Sequence, residues 1–522
     1  MSQTDEVQIT TASAVNEQAH PNDSGKPLDA AELATDAGGQ QCQMPLEPIC
    51  TPEKVLKILR DAKVRVFCDQ FGHAYAYLPW DMPTDHWECL PIKSRIFRNR
   101  VSGLLRRAVN MRIKARHLKE IMQELELQAE GAELVDLDNR VGAAEGGVRI
   151  DLGDESWRTI LVTRSGYAVV QEREPHFYRA KHQRPLPEPV PGGQVWELFD
   201  YVPVGDGGDR LLILTWFAAG LCPGTPVPIL VFAGQQGSAK TTCCRRIRSL
   251  IDPSVVPLLE IERRHIMQVF YHHAAPCFDN TGSLNRRDAD IFCRAVTGDG
   301  VERRKLFTNT EAEILAFRRA IMMSAIDIPS DRPDFRDRCL IVRRTRLNEF
   351  EAVANLDARF EQARPRLFGS LLDLLAKTLS YLDSAPSTGE FRMADFARLG
   401  RAVATVLGKT PEDFDTAYRA NLAEQSRELV DDSTFAQAVI TFARKHQKDP
   451  GWTGNTQDLL KELVEPAGPN TLSPKDDSWP KSPRWASTRL GELAPALASE
   501  KIIVERLPRE NNRRPWKIYA IE

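Results

Sequence analysis

Residues 234–241, with the sequence GQQGSAKT, place glycine, lysine and hydroxyl side chains at the spacing of a phosphate-binding loop, G-x-x-x-x-G-K-[ST]. The apolar run PVPILVFAG leads into this loop, and KTTCCRRIRSLID, which has the pattern of a helix, ends it. A turn at such a junction directs successive backbone N–H groups and the positive end of the helix dipole at an anion. Lys240 would then reach the β- and γ-phosphates of ATP, and the hydroxyl of Thr241 would bind Mg²⁺. The residues expected to bind the nucleotide are Gly234, Gln235, Gln236, Gly237, Ser238, Ala239, Lys240, Thr241 and Thr242.

Ala239 occupies the position of the second glycine in this pattern. That residue supplies an N–H group rather than a side chain, and it lies at the start of a helix. We therefore expect a negative φ there, which leaves room for a methyl group. Gly234 and Gly237 are the positions expected to require glycine. The alanine weakens the specificity of the motif, but the predicted mechanism stands; the alternative is a chance Gly/Lys loop after a strand.

A second part of the same site is predicted at Asp279, which follows the apolar run AAPCF and lies 39 residues after Lys240. A carboxylate at the C-terminal end of a neighbouring parallel strand can hold Mg²⁺ through water. Thr241 and Asp279 are therefore the predicted metal-binding residues, although Asp279 could also be an ordinary strand-end turn residue. Asn280 comes next, where many ATPases have a glutamate that activates water, and this leaves the identity of the general base open.

Two further residues are candidates for catalysis. Ser324, near the end of the core strand in RRAIMMSAI, could sense the γ-phosphate or orient the attacking water. Arg338 directly precedes a strand in RPDFRDRCLIV. It is either a solvated strand flank or, in a ring ATPase, a finger that stabilises transition-state charge in the neighbouring site. The predicted catalytic residues are Lys240, Asp279, Asn280, Ser324 and Arg338.

The bulk composition is that of a soluble globular protein with several domains, since the chain has 522 residues, of which 42% are hydrophobic and 27% charged. A net charge of −3 gives no overall attraction to nucleic acid, so any basic surface must be local. The longest apolar stretch, residues 211–222, is shorter than the roughly 20 residues that span a bilayer. No charged-then-apolar segment opens the sequence, so we do not expect secretion. The ten cysteines include no C-x-x-C pair and are expected to be reduced, as in a cytoplasm.

The sequence predicts a multidomain α/β protein with five regions. Residues 1–46 contain seven acids, one lysine and no aromatic residue, which predicts a disordered acidic tail. Residues 47–185 predict an α+β region with a basic helix and a small β-sheet, and the Pro-rich segment RPLPEPVPGG favours a boundary after it. The remaining regions are a P-loop ATPase module at 186–347, a helical region at 348–430, and a C-terminal winged helix of three helices and two strands at 431–522.

Four segments together, GQQGSAKTT, FDN, TGDGVERRKLFTN and RPDFRDR, resemble the superfamily 3-type AAA+ helicases, and especially the primase-helicase ATPases of phages, plasmids and integrated elements. The resemblance is specific over residues 186–347 and looser on either side. It implies a P-loop AAA+ core, a hexameric ring that hydrolyses ATP at subunit interfaces, and 3′→5′ movement on DNA. Ser324, where the family usually has asparagine, and Asn280, where a second acid is common, depart from the family and favour slow hydrolysis. Alanine at position 239 is, by resemblance, an accepted variant.

Three basic segments are candidates for binding DNA. The resemblance implies a β-hairpin that grips DNA in the ring pore, and residues 301–317 fit such a hairpin. Residues 93–119 contain ten Lys or Arg and no acid, although a solvated helix face is an equal alternative. The turn PRENNRRP lies in the predicted wing, where a protein-docking role is the alternative. The candidate DNA-binding residues are Arg303, Arg304, Lys305, Arg106, Arg107, Arg513 and Arg514.

Three functions are compatible with these predictions. The leading one is an ATP-dependent DNA helicase or translocase, a homo-oligomeric ring that acts on single-stranded or forked DNA during replication of a mobile genetic element. The second is an ATP-gated regulatory or phage-defence switch, which Asn280 and Ser324 modestly favour. The third is a DNA-binding initiator or loader without unwinding activity. The first 200 residues lack a cluster of spaced metal-binding acids, so a separate primase is the expected partner, and no membrane is expected.

Overall fold

The computed structural model describes residues 50–80, 86–205, 207–298, 301–304, 312–315, 317–346, 353–446, 451–464, 479–509 and 514–521. The predicted acidic tail, Lys305 and Arg513 lie outside these ranges. No helix among the described residues combines the length and the apolar character that crossing a membrane requires.

The first described region is a four-stranded sheet covered by helices. The sequence predicts a basic helix in this region, and Arg95–Val109 form a helix with several arginines. The sheet has the strand order β3-β2-β1-β4, in which β1 and β4 are parallel and the other pairs antiparallel. Ser94 accepts a hydrogen bond from the backbone of Phe97 and so begins the basic helix α2. The elements are α1 (Pro52–Asp61), β1 (Arg65–Asp69), β2 (Ala74–Trp80), β3 (His86–Pro91), α2 (Arg95–Val109), α3 (Ala115–Glu130) and β4 (Leu134–Val135).

A small antiparallel sheet follows, as predicted, and its strands pair in chain order. Its buried residues, such as Val148 and Ile160, belong to the same hydrophobic core as the central sheet described next. The Pro-rich segment has no helix or strand, but two hydrogen bonds join it to other parts of the chain: Leu186 N donates to Leu152 O at 2.8 Å, and Val190 N donates to Pro365 O at 3.0 Å. The predicted boundary at residue 185 is therefore not a division of the hydrophobic core. The strands are β5 (Val141–Ala144), β6 (Gly147–Asp151), β7 (Arg158–Thr163) and β8 (Gly166–Gln171).

The central region is a parallel sheet between helices. Its strand order is β10-β13-β9-β14, and all three strand pairs are parallel. The longest apolar stretch of the sequence lies largely in α5, whose residues 211–219 are buried. The elements are α4 (Leu198–Tyr201), α5 (Gly207–Gly220), β9 (Ile229–Gly234), α6 (Lys240–Ser249), α7 (Ile266–His272), β10 (Cys277–Phe278), α8 (Arg286–Thr297), β11 (Val301–Arg304), β12 (Ala312–Leu315), β13 (Met322–Ala325), α9 (Pro333–Arg336) and β14 (Cys339–Arg344).

Three helices then pack on the central region, namely α10 (Val353–Tyr381), α11 (Ala394–Val406) and α12 (Pro411–Asp431). Two side-chain amides of α12 bond to the outer side of β14. Asn421 accepts from Ile341 N at 3.2 Å and donates to Ile341 O at 2.7 Å, and Gln425 donates to Cys339 O at 3.1 Å. These amides replace the partner strand that this edge of the sheet lacks.

The C-terminal region has its own hydrophobic core, which includes Phe435, Leu490 and Ile518. Its three predicted helices and two predicted strands are present. A third strand, β15, also joins the sheet, in the order β15-β17-β16. The sequence does not reveal β15, because three residues are too few to show an alternating pattern. The elements are α13 (Thr434–Lys445), β15 (Trp452–Gly454), α14 (Thr456–Val464), α15 (Pro483–Ser499), β16 (Ile502–Arg506) and β17 (Trp516–Ala520).

Candidate nucleotide-binding site

The glycine-rich loop joins β9 to α6, as the sequence predicts, and two of its glycines have conformations that require glycine. Gly234 has φ 148°, and a Cβ atom there would lie 2.1 Å from the carbonyl oxygen of Arg344. Gly237 has φ 82°, in the left-handed region. The loop can therefore bring its backbone close to β14 and turn sharply into the helix.

Ala239 also has a left-handed conformation, with φ 59° and ψ 22°. The expected negative φ is therefore wrong. Ala239 is the N-cap of α6 rather than a residue within it, and the loop needs a left-handed residue to turn into the helix axis. Such a conformation costs an L-residue about 1–2 kcal/mol. The glycine usual at this position thus has a conformational role, and the alanine holds the same turn under strain.

Lys240 folds back over its own loop. Its Nζ atom donates to Gly234 O at 2.6 Å and to Gln235 O at 2.8 Å. Burial lowers the pKa of Lys240, and the negative charge of Asp279 partly opposes this shift. The ammonium is held at the loop by carbonyl oxygens, which are weaker partners than the charged oxygens of a phosphate.

Two hydroxyl groups, those of Thr241 and Ser324, donate to the same carboxylate oxygen of Asp279. Oδ1 of Asp279 accepts hydrogen bonds from Thr241 Oγ1 at 2.9 Å and from Ser324 Oγ. The sheet register explains this convergence: Phe278 pairs with Met323, so the residue after each stands in the same row at the carboxyl edge. The structure thus brings together three predicted residues that lie far apart in the sequence.

These residues border a cavity of about 650 Å³ above the carboxyl edge of the sheet. Among the described residues that line it, Asp279 is the sole carboxylate. Three residues that were predicted to bind the nucleotide do not line it, namely Gly234, Gln235 and Thr242; Gly234 and Gln235 instead offer their carbonyls to Lys240. The lining residues are Gln236, Gly237, Ser238, Ala239, Lys240, Thr241, Asp279, Asn280, Ser324 and Ile326.

Asn280 has a conformational role that explains why it is not a glutamate. Its φ is 48°, and its backbone N donates to Ser324 Oγ at 3.0 Å. Asparagine adopts the left-handed region more readily than other residues with a side chain, whereas glutamate there would be strained. If the site hydrolyses ATP, a carboxylate for proton abstraction would have to come from another position.

Arg338 lies at the opposite edge of the sheet from the loop. It directly precedes β14, whose first residue pairs with Ile229, whereas Gly234 pairs with the last residue of β14. This separation corresponds to about 20 Å along the strand. The guanidinium of Arg338 bonds to Asp334, with Nη1 2.5 Å from Oδ1. Arg338 is therefore not part of the site of its own chain, and a role in a neighbouring site stays a prediction.

Arg344 is a residue of this site that the sequence reasoning missed. It ends β14 beside Gly234, and its Nε donates to Ser238 O at 3.1 Å while Nη1 donates to Pro203 O. Nη2 is buried and has no hydrogen-bond partner among the described residues. The signal in the sequence is the strand CLIVRR, which ends in arginines at the same edge as the loop once parallel pairing is assumed.

Glu260 is a carboxylate that the sequence reasoning also missed, and it lies outside the residues that line the cavity. Leu259 forms a parallel bridge with Phe278: its N donates to Cys277 O at 2.8 Å, and its O accepts from Asp279 N at 3.0 Å. Because Leu259 is opposite Phe278, Glu260 is opposite Asp279 on the outer side of β10. The side chain of Glu260 is exposed. The signal is the run VVPLLE, an apolar stretch that ends in an acid between α6 and β10.

The predicted DNA-binding residues lie in three separate places. Strands β11 and β12 form the predicted antiparallel hairpin, in which Arg304 pairs with Ala312; Arg303 and Arg304 are on β11, and Lys305 lies outside the described residues. Arg106 and Arg107 are exposed in the last turn of α2. In the C-terminal region, Arg514 is exposed beside β17, and Arg513 lies outside the described residues. The structure does not bring these groups together with the nucleotide site.

Two family models match consecutive parts of the chain. Residues 197–432 match the family described as "Actinomycete integrative conjugative element replication protein", and residues 435–522 match "AICE RepA C-terminal domain". The matches support a replication protein of a mobile genetic element, and this part of the resemblance is confirmed. More particularly, both segments are similar to the replication protein of actinomycete integrative conjugative elements.

No curated protein is significantly similar to the chain. Among solved structures, the apo structure of the NrS-1 C terminal region (305-718) has a TM-score of 0.38 and 10% identity over 90% of this chain and 99% of that one. An A form apo structure of the same region has a TM-score of 0.40 and 11% identity over 90% and 100% of the two chains. These values are too low to support a functional argument.

Proposed function

We propose that the chain is an ATP-dependent DNA translocase or helicase that serves replication of a mobile element. The observation that carries this proposal is the convergence of Lys240, Thr241, Asp279 and Ser324 at the carboxyl edge of a parallel sheet. In parallel α/β sheets this edge is where ligands bind. The loop and its lysine match the chemistry of a triphosphate.

Each residue has a distinct role in this proposal. The loop N–H groups and Lys240 bind the β- and γ-phosphates. Thr241 and Asp279, which share a hydrogen bond, offer the oxygen ligands that Mg²⁺ prefers. When bound, Mg²⁺ would neutralise phosphate charge as hydrolysis proceeds. Ser324 contacts both Asp279 and the backbone of Asn280, so it is placed to report whether a γ-phosphate is present.

We assign the general base to Glu260. Asn280 cannot accept the proton of the attacking water, and Asp279 already accepts from Thr241 and Ser324. The register places Glu260 in the same row as Asp279, on the same face of the sheet. Its exposed carboxylate is long enough to bridge one strand spacing of about 5 Å.

The proposal includes the folds of the central and C-terminal regions. We assign the sheet order β10-β13-β9-β14 with its loop to an AAA+ core, and the C-terminal region of three helices and three strands to a winged helix. Subunits would form a hexameric ring, in whose pore the hairpin β11–β12 contacts DNA. A separate primase would supply primers.

The test is ATP hydrolysis by the purified chain with and without single-stranded DNA. A motor shows turnover that DNA stimulates several-fold, that Lys240→Ala abolishes, and that separates the strands of a forked duplex. A chain that folds but neither binds nor hydrolyses ATP contradicts the proposal.

A second function, an ATP-gated switch, is favoured by one observation. Arg338, the candidate finger, is held by Asp334, which also lies 2.6 Å from Arg392. A finger held in this way would leave a neighbouring site without its transition-state charge. Tight ATP binding with no DNA-stimulated turnover would support the switch over the motor.

A further inference from the structure

A cavity of about 250 Å³ lies at the C-terminal end of α6, the end opposite to the glycine-rich loop. Four separate segments of the chain form it: the Pro-rich joint, the end of α6, the loop after α6, and α10. Arginines come from three of these segments, and two serines add hydroxyl groups. The polar lining residues are Arg184, Arg245, Arg248, Ser249, Ser254 and Arg364.

The charge of this cavity is strongly positive. Among the described residues that line it there are four arginines and no carboxylate. Two acids lie nearby: Glu361 is 2.8 Å from Arg364, and the buried Asp252 is 3.3 Å from the buried Arg140. These two acids balance at most part of the charge, so the cavity attracts anions.

Two of the arginines are held rigidly. Arg248 is buried, and it donates to Pro257 O at 2.6 Å and contacts His273 Nδ1 at 2.7 Å. Arg364 donates to Ser249 O at 3.1 Å, while its Nε is buried and has no hydrogen-bond partner among the described residues. An orphaned buried donor of this kind is costly unless a ligand satisfies it.

The other two arginines are available at the mouth of the cavity. Arg184 and Arg245 are exposed, and their guanidinium groups form no hydrogen bond or ion pair within the described part of the chain. Arg248 has a structural role, because it donates to the carbonyl groups of Asp252 and Pro257 in the loop after α6. This role does not explain two further free cations at the same place.

We propose that this cavity binds a phosphate group of the DNA backbone, as a contact separate from the hairpin and from α2. Guanidinium groups bind phosphate oxygens in a bidentate manner, and several of them around one concave site fix the position of a single phosphate. Shape and charge do not read a base, so the contact is independent of sequence. The proposal rests on the proposed function only in taking DNA as the ligand.

The test is DNA binding by Arg245→Gln, by Arg184→Gln and by the double variant, measured by fluorescence anisotropy at several salt concentrations. We expect the double variant to bind a single-stranded oligonucleotide about tenfold more weakly, as for the loss of a charge-assisted hydrogen bond. The slope of log K against log salt should fall by about 0.7 per lost phosphate contact. Arg60→Gln, which alters an exposed arginine of α1, is the matched control and should change neither value.

A second arm separates the two sources of phosphate. Inorganic phosphate is titrated against the wild type and the double variant by thermal melting. If phosphate stabilises only the wild type while DNA affinity is equal in both, the site binds a free anion and the proposal is overturned. Equal DNA affinity and equal phosphate response overturn it as well.

Binding of a nonhydrolysable ATP analogue to the double variant distinguishes this proposal from the proposed function. We expect the analogue to bind the double variant as it binds the wild type. If the wild type fails to bind the analogue while the double variant still loses DNA affinity, the proposed motor fails and the arginine site stands.

Discussion

The two ends of α6 carry the two proposed anion-binding sites, and these sites differ in design. At the N-terminal end, backbone N–H groups and Lys240 face the cavity, and the helix dipole adds partial positive charge. At the C-terminal end the dipole is negative, and the arginine cavity depends on four full charges. One end therefore depends on backbone conformation and the other on side-chain charge. Substitutions at one end should leave the other end unaffected.

The largest effect is expected from Lys240→Ala. Loss of the ammonium removes charge stabilisation of the transferred phosphoryl group, so turnover should fall by about 10³-fold or more. The measurement is steady-state phosphate release. DNA binding in the absence of ATP should keep the salt dependence of the wild type, since the arginine cavity is intact. Equal losses of DNA affinity in Lys240→Ala and in Arg245→Gln would show that the two ends are not independent.

Glu260→Gln should have the next largest effect. Removal of a general base lowers turnover by about 10²-fold or more, while the affinity for ATP stays unchanged. Glu262→Gln is the matched control, because Glu262 lies two residues further on and is 3.9 Å from His265. The measurements are the turnover number and the dissociation constant of ATP, determined separately. Full turnover in Glu260→Gln would rule out this base.

A pH effect is expected from His273, which contacts Arg248 of the arginine cavity. Burial, together with the charges of Arg248 and of His182, lowers the pKa of His273 to about 3. In the unfolded chain the imidazole titrates near its usual pKa of 6.5. Below pH 6.5 the unfolded state binds a proton that the folded state does not. The neutral, buried His273 therefore contributes to the free energy of unfolding fully above pH 6.5, and this contribution is lost as the pH falls towards 3. Between these two pH values the free energy of unfolding should change by about 1.4 kcal/mol per pH unit for a single such group.

Urea unfolding between pH 7.5 and 5 measures this slope, and His273→Gln should make it shallower. Burial would raise the pKa of Asp252, but the charges of Arg140 and Arg248 outweigh this and hold it below its usual value. The contribution of Asp252 is therefore lost only at still lower pH. An unchanged slope in His273→Gln would exclude this histidine as the source of acid sensitivity.

The smallest effect is expected from Ala239→Gly, at the backbone-dependent end. Glycine relieves the left-handed strain of about 1–2 kcal/mol, although its greater freedom in the unfolded chain offsets part of this gain. The free energy of unfolding should therefore rise by up to about 1 kcal/mol. Ala420→Gly, at an exposed position in the interior of α12, is the opposite control and should lower it by about 1 kcal/mol. Equal destabilisation in both variants would contradict the strain at Ala239.

The two ends of α6 also differ in how well their residues could be predicted from the sequence. The N-terminal end is a contiguous motif, so Lys240 and Thr241 could be predicted directly, and Asp279 and Ser324 followed from their places at strand ends. The conformation of Ala239 could not, because φ depends on how the loop joins the helix axis. Glu260 required the strand register.

The arginine cavity could not be predicted at all, because its residues come from segments as far apart as Arg184 and Arg364. The C-terminal region shows the same limit: long periodic helices are visible in the sequence, whereas the three-residue strand β15 is recognised only by its pairing with β17. The predicted DNA-binding residues stay predictions, since they depend on a ligand rather than on the fold.

Asn421 and Gln425 occupy the backbone donors and acceptors along β14 that an added strand would need. In the proposed ring, a neighbouring subunit could therefore not extend this sheet by main-chain pairing at Cys339 and Ile341. The subunits would instead meet through side chains on this side. Contacts of that kind would open and close without breaking the hydrogen bonds of a continuous sheet.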